Sequence, residues 1–388
     1  LREMEKNEHP FDFSLVFILF LFSIISFISI NTAQDFGQYN ENFLVKQIAW
    51  YIVGCGIILA VMYFDMEQIE RIHWFAYGFA MLLLIFLIIA PESIARPING
   101  AKSWFQIPKI GSLQPSELSK IALILTLSHI IAKHHMKYVF RDLKTDIILL
   151  TKMGMATLAL IAIIMQQPDL GTSLVLLAIF AGLMLVSGIS WKVILPIFLL
   201  AGSIGGLLIY LIVFQPDLLN MIGVRQYQLG RIYSWLNPEE FKEGDGYHLY
   251  QSMLAIGSGL ITGKEASLGN VHLPEGHTDF IFSVIGEKYG FAGASFVISL
   301  YFLLIYRIIS LSLDVKDPFT SYICTGVVSM IAFHVFQNAG MTIGLLPITG
   351  IPLPFISYGG SSMISNMLAI GLIFSISFRN KKYMFDRE

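Results

Sequence analysis

The stretch Phe13–Ala33, FSLVFILFLFSIISFISINTA, runs for 21 residues without one charged side chain. A bilayer core about 30 Å thick takes roughly 20 apolar residues as helix, because in lipid every backbone N–H and C=O must find its partner inside the segment. Nine further stretches read the same way, 43–63, 73–90, 116–133, 147–166, 170–188, 191–214, 281–310, 320–345 and 361–378. The whole chain of 388 residues agrees, with 55% hydrophobic residues, 13% charged ones and a mean hydropathy of +0.68. Soluble domains carry about 25% charged residues. The fold class is therefore an all-α integral membrane protein, a bundle of ten transmembrane helices forming one polytopic domain over 1–388. A net charge of −2 points away from nucleic acid. Cys55 and Cys324 both lie in apolar stretches and read as core packing, not as a disulfide or a thiolate metal site.

The first stretch is too long for a signal-peptide core and is expected to remain as a helix. The chain begins at Leu1, with its first methionine at Met4, so its natural start stays open. Ten spans put both termini on one side. With the termini cytoplasmic, the tails and loops on that side hold fourteen Lys and Arg, against three, Arg96, Lys102 and Lys109, in the short loops opposite. The positive-inside rule orients the chain accordingly. Two outward segments exceed ordinary connectors, Pro91–Pro115 and the large loop over 215–280 between helices seven and eight. The second contains RQYQLGRIYSWL and GYHLYQSMLAIGSG, whose apolar spacing predicts short helices at the membrane surface. No internal repeat is visible.

Ionisable residues at membrane depth are costly and so informative. Glu117 and Lys120 in QPSELSK, three apart on one helix face, form a structural ion pair or line a cavity. Asp169 in QPDLGTS caps a helix or faces the same cavity, and Lys46 snorkels to the interface or does so too. Asp279 precedes the apolar run FIFSVI, where an N-cap and a chemical role are compatible. His272, Glu275, His277, Thr278, Asp279 and Glu287 offer donors, but at no metal-motif spacing. A hard divalent cation, Mg or Mn, held by carboxylates stays open, and His272 and His277 read as surface histidines. GIPLPFISYGGSS, residues 350–362, breaks the apolar pattern as a re-entrant turn or as a helix start suited to phosphate, with Ser357 and Ser361 as substrate-binding candidates.

Taken together, QPSELSK, QPDLGTS, GYHLYQSMLAIGSG, PEGHTDFIFSVIGEKYGFAG and NAGMTIGLLPITGIPLPFISYGGSS resemble the SEDS family (shape, elongation, division, sporulation), which includes RodA, FtsW and SpoVE. PESIARPINGAKSWFQI is further similar to the RodA branch. The resemblance implies a peptidoglycan glycosyltransferase polymerising lipid II, with a class B penicillin-binding protein transpeptidase as partner. It implies that Asp279 is the essential acid, that Trp104 matters to function, and that Glu117 and Lys120 line a family cavity. Asp169 belongs to a shared motif. Where the family carries further glycines, this chain has Leu260 and Glu265. Asp279 is expected to act as general base on a sugar hydroxyl or to hold a cation. Lys120, then Arg225 and Arg231, are the expected cations for the leaving pyrophosphate. A lipid II flippase and a non-catalytic scaffold are the competing readings.

Overall fold

The computed structural model describes residues 12–34, 41–97, 101–107, 111–140, 142–215, 226–244, 246–264 and 271–385, with backbone alone for 226–229 and 381–385. Twelve helices and one small hairpin occur among them. In chain order these are α1 (Phe13–Gln34), α2 (Phe43–Tyr63), α3 (Met66–Ile89), β1 (Phe105–Ile107), β2 (Gly111–Leu113), α4 (Pro115–Lys137), α5 (Leu143–Ile164), α6 (Leu170–Val186) and α7 (Trp191–Phe214). There follow α8 (Gln226–Leu236), α9 (Tyr247–Ser258), α10 (Ile281–Asp314), α11 (Pro318–Thr342) and α12 (Gly360–Phe385). Eight of them, α1, α2, α3, α5, α7, α10, α11 and α12, are long and apolar enough to cross a membrane.

The other two expected spans form helices of a different kind. α6 is an apolar helix of only 17 residues, and α4 has 23 but includes Glu117, Lys120, His134, His135 and Lys137. α4 tolerates this polarity because it stands inside the bundle, packed by α3, α5, α6, α11 and α12. At the opposite extreme α7 buries only Ile194 and Ile212 and turns the rest of its apolar surface outward, as a helix facing lipid does.

Pro91–Pro115, expected only to be more than an ordinary connector, contains the antiparallel hairpin, with Phe105 opposite Leu113, Gln106 opposite Ser112 and Ile107 opposite Gly111. Lys102 anchors it by donating to the Ile88 carbonyl at 3.0 Å and to that of Ala90, free acceptors at the end of α3. The two short helices foreseen in the large loop are α8 and α9. α9 does not merely rest at a surface: Leu249, Ser252 and Ala255 are buried against α10, and Ser252 bonds the Thr342 carbonyl at 2.7 Å.

α10 runs four residues beyond the expected end and breaks at Gly290, whose φ of 62° and ψ of −160° are non-helical. A left-handed φ favours glycine, which has no Cβ to clash. The large loop caps the break, since Phe291 N donates to Leu260 O at 2.9 Å and Ala292 N to Ile261 O at 3.0 Å.

The irregular segment between α11 and α12 is the hub of the bundle. Its carbonyls are taken up by side chains from several helices: Trp235 to Gly344 at 2.9 Å, Gln337 to Pro347 at 3.1 Å, Tyr51 to Phe355 at 2.6 Å and Ser26 to Ile356 at 2.9 Å. Tyr301 serves Pro354 in the same way. Buried backbone outside regular structure must be paired like this, and its buried side chains Ile351, Leu353, Phe355 and Ile356 complete the core there.

Candidate active site

Asp279 lies at the foot of α10, after a turn in which Glu275 O accepts from Thr278 N at 3.1 Å and from Phe280 N at 3.2 Å. Glu275 holds φ 55°, a conformation disfavoured for a side chain larger than glycine's and one that surrounding contacts must impose. Phe280, not Asp279, occupies the N-cap position of α10, and no side chain caps that helix. The local reading of Asp279 as a cap is thereby corrected. Among the described residues nothing donates to its carboxylate. A Cβ added to Gly350, at φ 72°, would stand 3.4 Å from Asp279 Oδ2, so the carboxylate lies against the bare backbone of the irregular segment.

The crowding of protein around this carboxyl, with the charge of Glu275, pushes its pKa from 3.8 up to about 6, while Arg231 of α8 pulls it down. Asp279 as a whole residue is partly covered. A carboxylate of this kind is ionised near neutral pH and yet basic enough to take a proton.

Of the other candidates, Lys120 reaches the same segment through His334 and Ser357 is part of it. Asp169 does cap α6, accepting from Thr172 N at 2.9 Å, and it also accepts from the side chains of Gln114, Ser116 and Thr172. Lys120 is fully buried, 2.6 Å from Glu117, and it donates to Nε2 of His334 at 3.2 Å. His334 Nδ1 in turn donates to Pro352 O at 3.2 Å, a tautomer that leaves Nε2 free to accept from lysine. Trp104 is half-buried, next to Ser103, which bonds Gln167 O at 2.9 Å. Ser357 donates to Thr278 O at 2.7 Å and accepts from Leu353 N at 2.8 Å. Ser361 bonds Ser112 O at 3.1 Å and Gln114 N at 2.9 Å. Both serine hydroxyls thus tie protein to protein.

Three expectations change in three dimensions. His277 is buried and stacks on Phe43 at a centroid distance of 4.2 Å, whereas His272 is exposed as expected. Burial lowers the pKa of His277. Glu287 faces Lys264 at 3.2 Å and Val271 N at 2.8 Å, where it ties the large loop to α10. Of the expected pyrophosphate cations, Arg231 acts on the Asp279 carboxyl, Lys120 is enclosed, and Arg225 lies outside the described residues, as does Glu265. Lys46 pairs with Glu41 and lines a recess of about 840 Å³ with Trp50, Arg96, Gln106, Ser112 and Tyr358. Among the described residues no three His, Cys, Asp or Glu side chains converge to hold a metal ion.

His334 and Asn338 escape a reading of the sequence. They are polar residues inside an apolar run, and the carbonyls Asn338 bonds lie 13 and 59 residues away along the chain.

A helical multi-pass bundle with a partly covered acid, Asp279, beside a buried irregular segment defines a membrane protein with a candidate site at that acid. The family described as Cell cycle protein, which groups FtsW, RodA and SpoVE, matches residues 10–382, and the chain belongs to it. It is 32% identical to "Probable peptidoglycan glycosyltransferase FtsW" of Trichlorobacter lovleyi, over 96% of each chain. It is 31% identical to "Peptidoglycan glycosyltransferase RodA" of Treponema pallidum, over 95% of this chain and 98% of that one. Among solved structures, a chain from "Structural coordination of polymerization and crosslinking by a peptidoglycan synthase complex" superposes with a TM-score of 0.74 at 26% identity, over 95% and 98% of the two chains. The rod shape determining protein RodA of Thermus thermophilus gives 0.67 at 25% identity, over 95% and 96%.

Proposed function

We infer that this protein polymerises lipid II, an undecaprenyl-pyrophosphate disaccharide-peptide, with Asp279 as the base of glycosyl transfer. The protein is a peptidoglycan glycosyltransferase of its family. The observation that carries the residue assignment is the unbonded Asp279 carboxylate, whose burial and neighbouring Glu275 raise its pKa to about 6. The acceptor sugar hydroxyl gives its proton to Asp279 as its oxygen bonds the donor anomeric carbon, and the bond to undecaprenyl pyrophosphate breaks on the opposite face. Inversion follows, with no covalent enzyme intermediate. Arg231, whose charge acts on the Asp279 carboxyl, is the cation assigned to the charge on the departing pyrophosphate.

A divalent cation fits as a second role of the same acid. Mg²⁺ commonly takes one or two carboxylates plus water and substrate phosphates, and Asp279 with Glu275 supplies such a pair. The ion would add a positive charge beside the pyrophosphate.

Ten spans with cytoplasmic termini set the site on the extracytoplasmic face, within the loop over 215–280. The charge asymmetry and the helical length of α4 and α6 support this topology. A class B penicillin-binding protein is the expected partner, supported by the likeness to a chain of a peptidoglycan synthase complex. The run PESIARPINGAKSWFQI favours the RodA branch.

Purified wild-type protein and Asp279→Asn, with labelled lipid II, test the assignment. Loss of the base lowers the rate by about 10²-fold or more. Near-normal glycan synthesis by the folded variant, or leaflet transfer of lipid II without polymer by the wild type, would sink it.

A further inference from the structure

Asn338 sits one helical turn beyond His334 on α11, fully buried. Its Nδ2 donates to two carbonyls at once, Asp279 O at 2.8 Å and Ile351 O at 2.8 Å. The two acceptors belong to different parts of the chain, and Asn338 is the side chain that joins them. Ile351 adjoins Gly350, the residue against which Asp279 Oδ2 rests. One amide therefore sets both the height of Asp279 above α11 and the backbone that walls its carboxylate. Neighbouring contacts reinforce the wall: Ser357 bonds Thr278 O at 2.7 Å, and Tyr358 N bonds His277 O at 2.9 Å.

We propose that Asn338 is a positioning residue for glycosyl transfer, holding Asp279 against the Gly350–Ile351 backbone so that its carboxylate stays unbonded and partly desolvated at the reacting hydroxyl. The proposal rests on the reading of Asp279 as the base. An amide suits this work because it offers two N–H donors on one planar group, enough for both carbonyls. Leucine has the same shape without donors. Aspartate would set a carboxylate against two carbonyl oxygens.

The charged groups that face Asp279 are Glu275, from the preceding turn, and Arg231, from α8. Neither is bonded by Asn338 among the described residues, so substitution at Asn338 acts on the covering of the carboxyl and not on its charged neighbours. Release from the Gly350 wall lets water reach the carboxyl, and a desolvated acid that regains water returns toward its ordinary pKa.

Purified Asn338→Leu and Asn338→Ala, with Asp279→Asn alongside, are assayed for kcat, KM, the acid limb of kcat against pH, and thermal midpoint. Misplacing a reacting group by about 1 Å costs on the order of 10²-fold. The expected result is a kcat lower by about tenfold to a hundredfold, a KM within about twofold, and an acid limb displaced to lower pH. Wild-type kcat and acid limb in a folded variant would overturn the proposal. So would a fall in kcat that tracks thermal midpoint with the acid limb unmoved, or failure of both variants to fold, since either marks a general packing role. Normal polymerisation by Asp279→Asn instead removes the base reading itself, whatever Asn338 does.

Discussion

At Asp279, the proposed catalytic role and stability pull in opposite directions. The folded protein raises the pKa of this acid from 3.8 to about 6, chiefly by desolvation and next by Glu275, so the fold favours the protonated form. Its stabilising contribution is complete below the unfolded value and is lost as pH rises through about 6. Asp279→Asn should therefore unfold at a higher temperature than wild type near pH 7.5, by on the order of 1 kcal/mol once the open side of the carboxyl is discounted. That advantage should vanish below about pH 3, where the carboxyl is protonated in both folded and unfolded chains. Thermal unfolding in detergent across this range checks it, and equal midpoints at every pH would count against a desolvated acid. Leu260 shows strain of another kind. It holds φ 48° while 78% exposed. Leu260→Gly should relieve about 1–2 kcal/mol of left-handed strain, less about 0.5–1 kcal/mol for the added freedom of the unfolded chain. A small rise in thermal midpoint is expected, and a fall would contradict the strain.

Among the elements, α4 has the most at stake, because its ion pair is enclosed. Glu117 and Lys120 are 2.6 Å apart with side chains 5% and 1% exposed. Removing one partner of such a pair costs about 3–5 kcal/mol, since the other charge is left buried alone, whereas replacing both with apolar groups is often far milder. Lys120→Met should thus lower the thermal midpoint severely, and Lys120→Met with Glu117→Leu should recover much of the loss. A double variant no more stable than the single one would show that the pair is not the source. α10 presents the complementary case, a helix broken on purpose. A Cβ at Gly290 would stand 2.5 Å from Gly263 N and 2.6 Å from the Ile261 carbonyl, so the break is also where the large loop docks. The spacing of α8 and α9 was readable in the sequence because apolar residues recur at helical intervals. The break in α10 was not, because its apolar run continues past Gly290.

For the whole molecule, the proposed topology puts Glu243, in the large loop, and Lys316, between α10 and α11, on opposite sides of the membrane; both are exposed. With Cys55 and Cys324 replaced, Glu243→Cys should react with an impermeant maleimide in intact cells. Lys316→Cys should react only after permeabilisation, and the reverse pattern would invert the proposed face of the site. Much of this architecture was legible in advance because lipid imposes a local rule: a segment without water must pair its own backbone, and length with apolarity suffices to find it. The hairpin after α3 was missed, as strands of three residues carry no periodicity. At the site, family resemblance singled out Asp279, and local patterns left it equally a helix cap. The sequence by itself thus determined that the chain is a bundle of membrane helices with an acid at the head of one of them. Tertiary structure alone decided that Phe280 takes the cap position, that Lys120 is enclosed, and that Asn338 joins Asp279 to the irregular segment. A hydrogen bond across 59 residues depends on how helices meet, and no spacing along the chain encodes it.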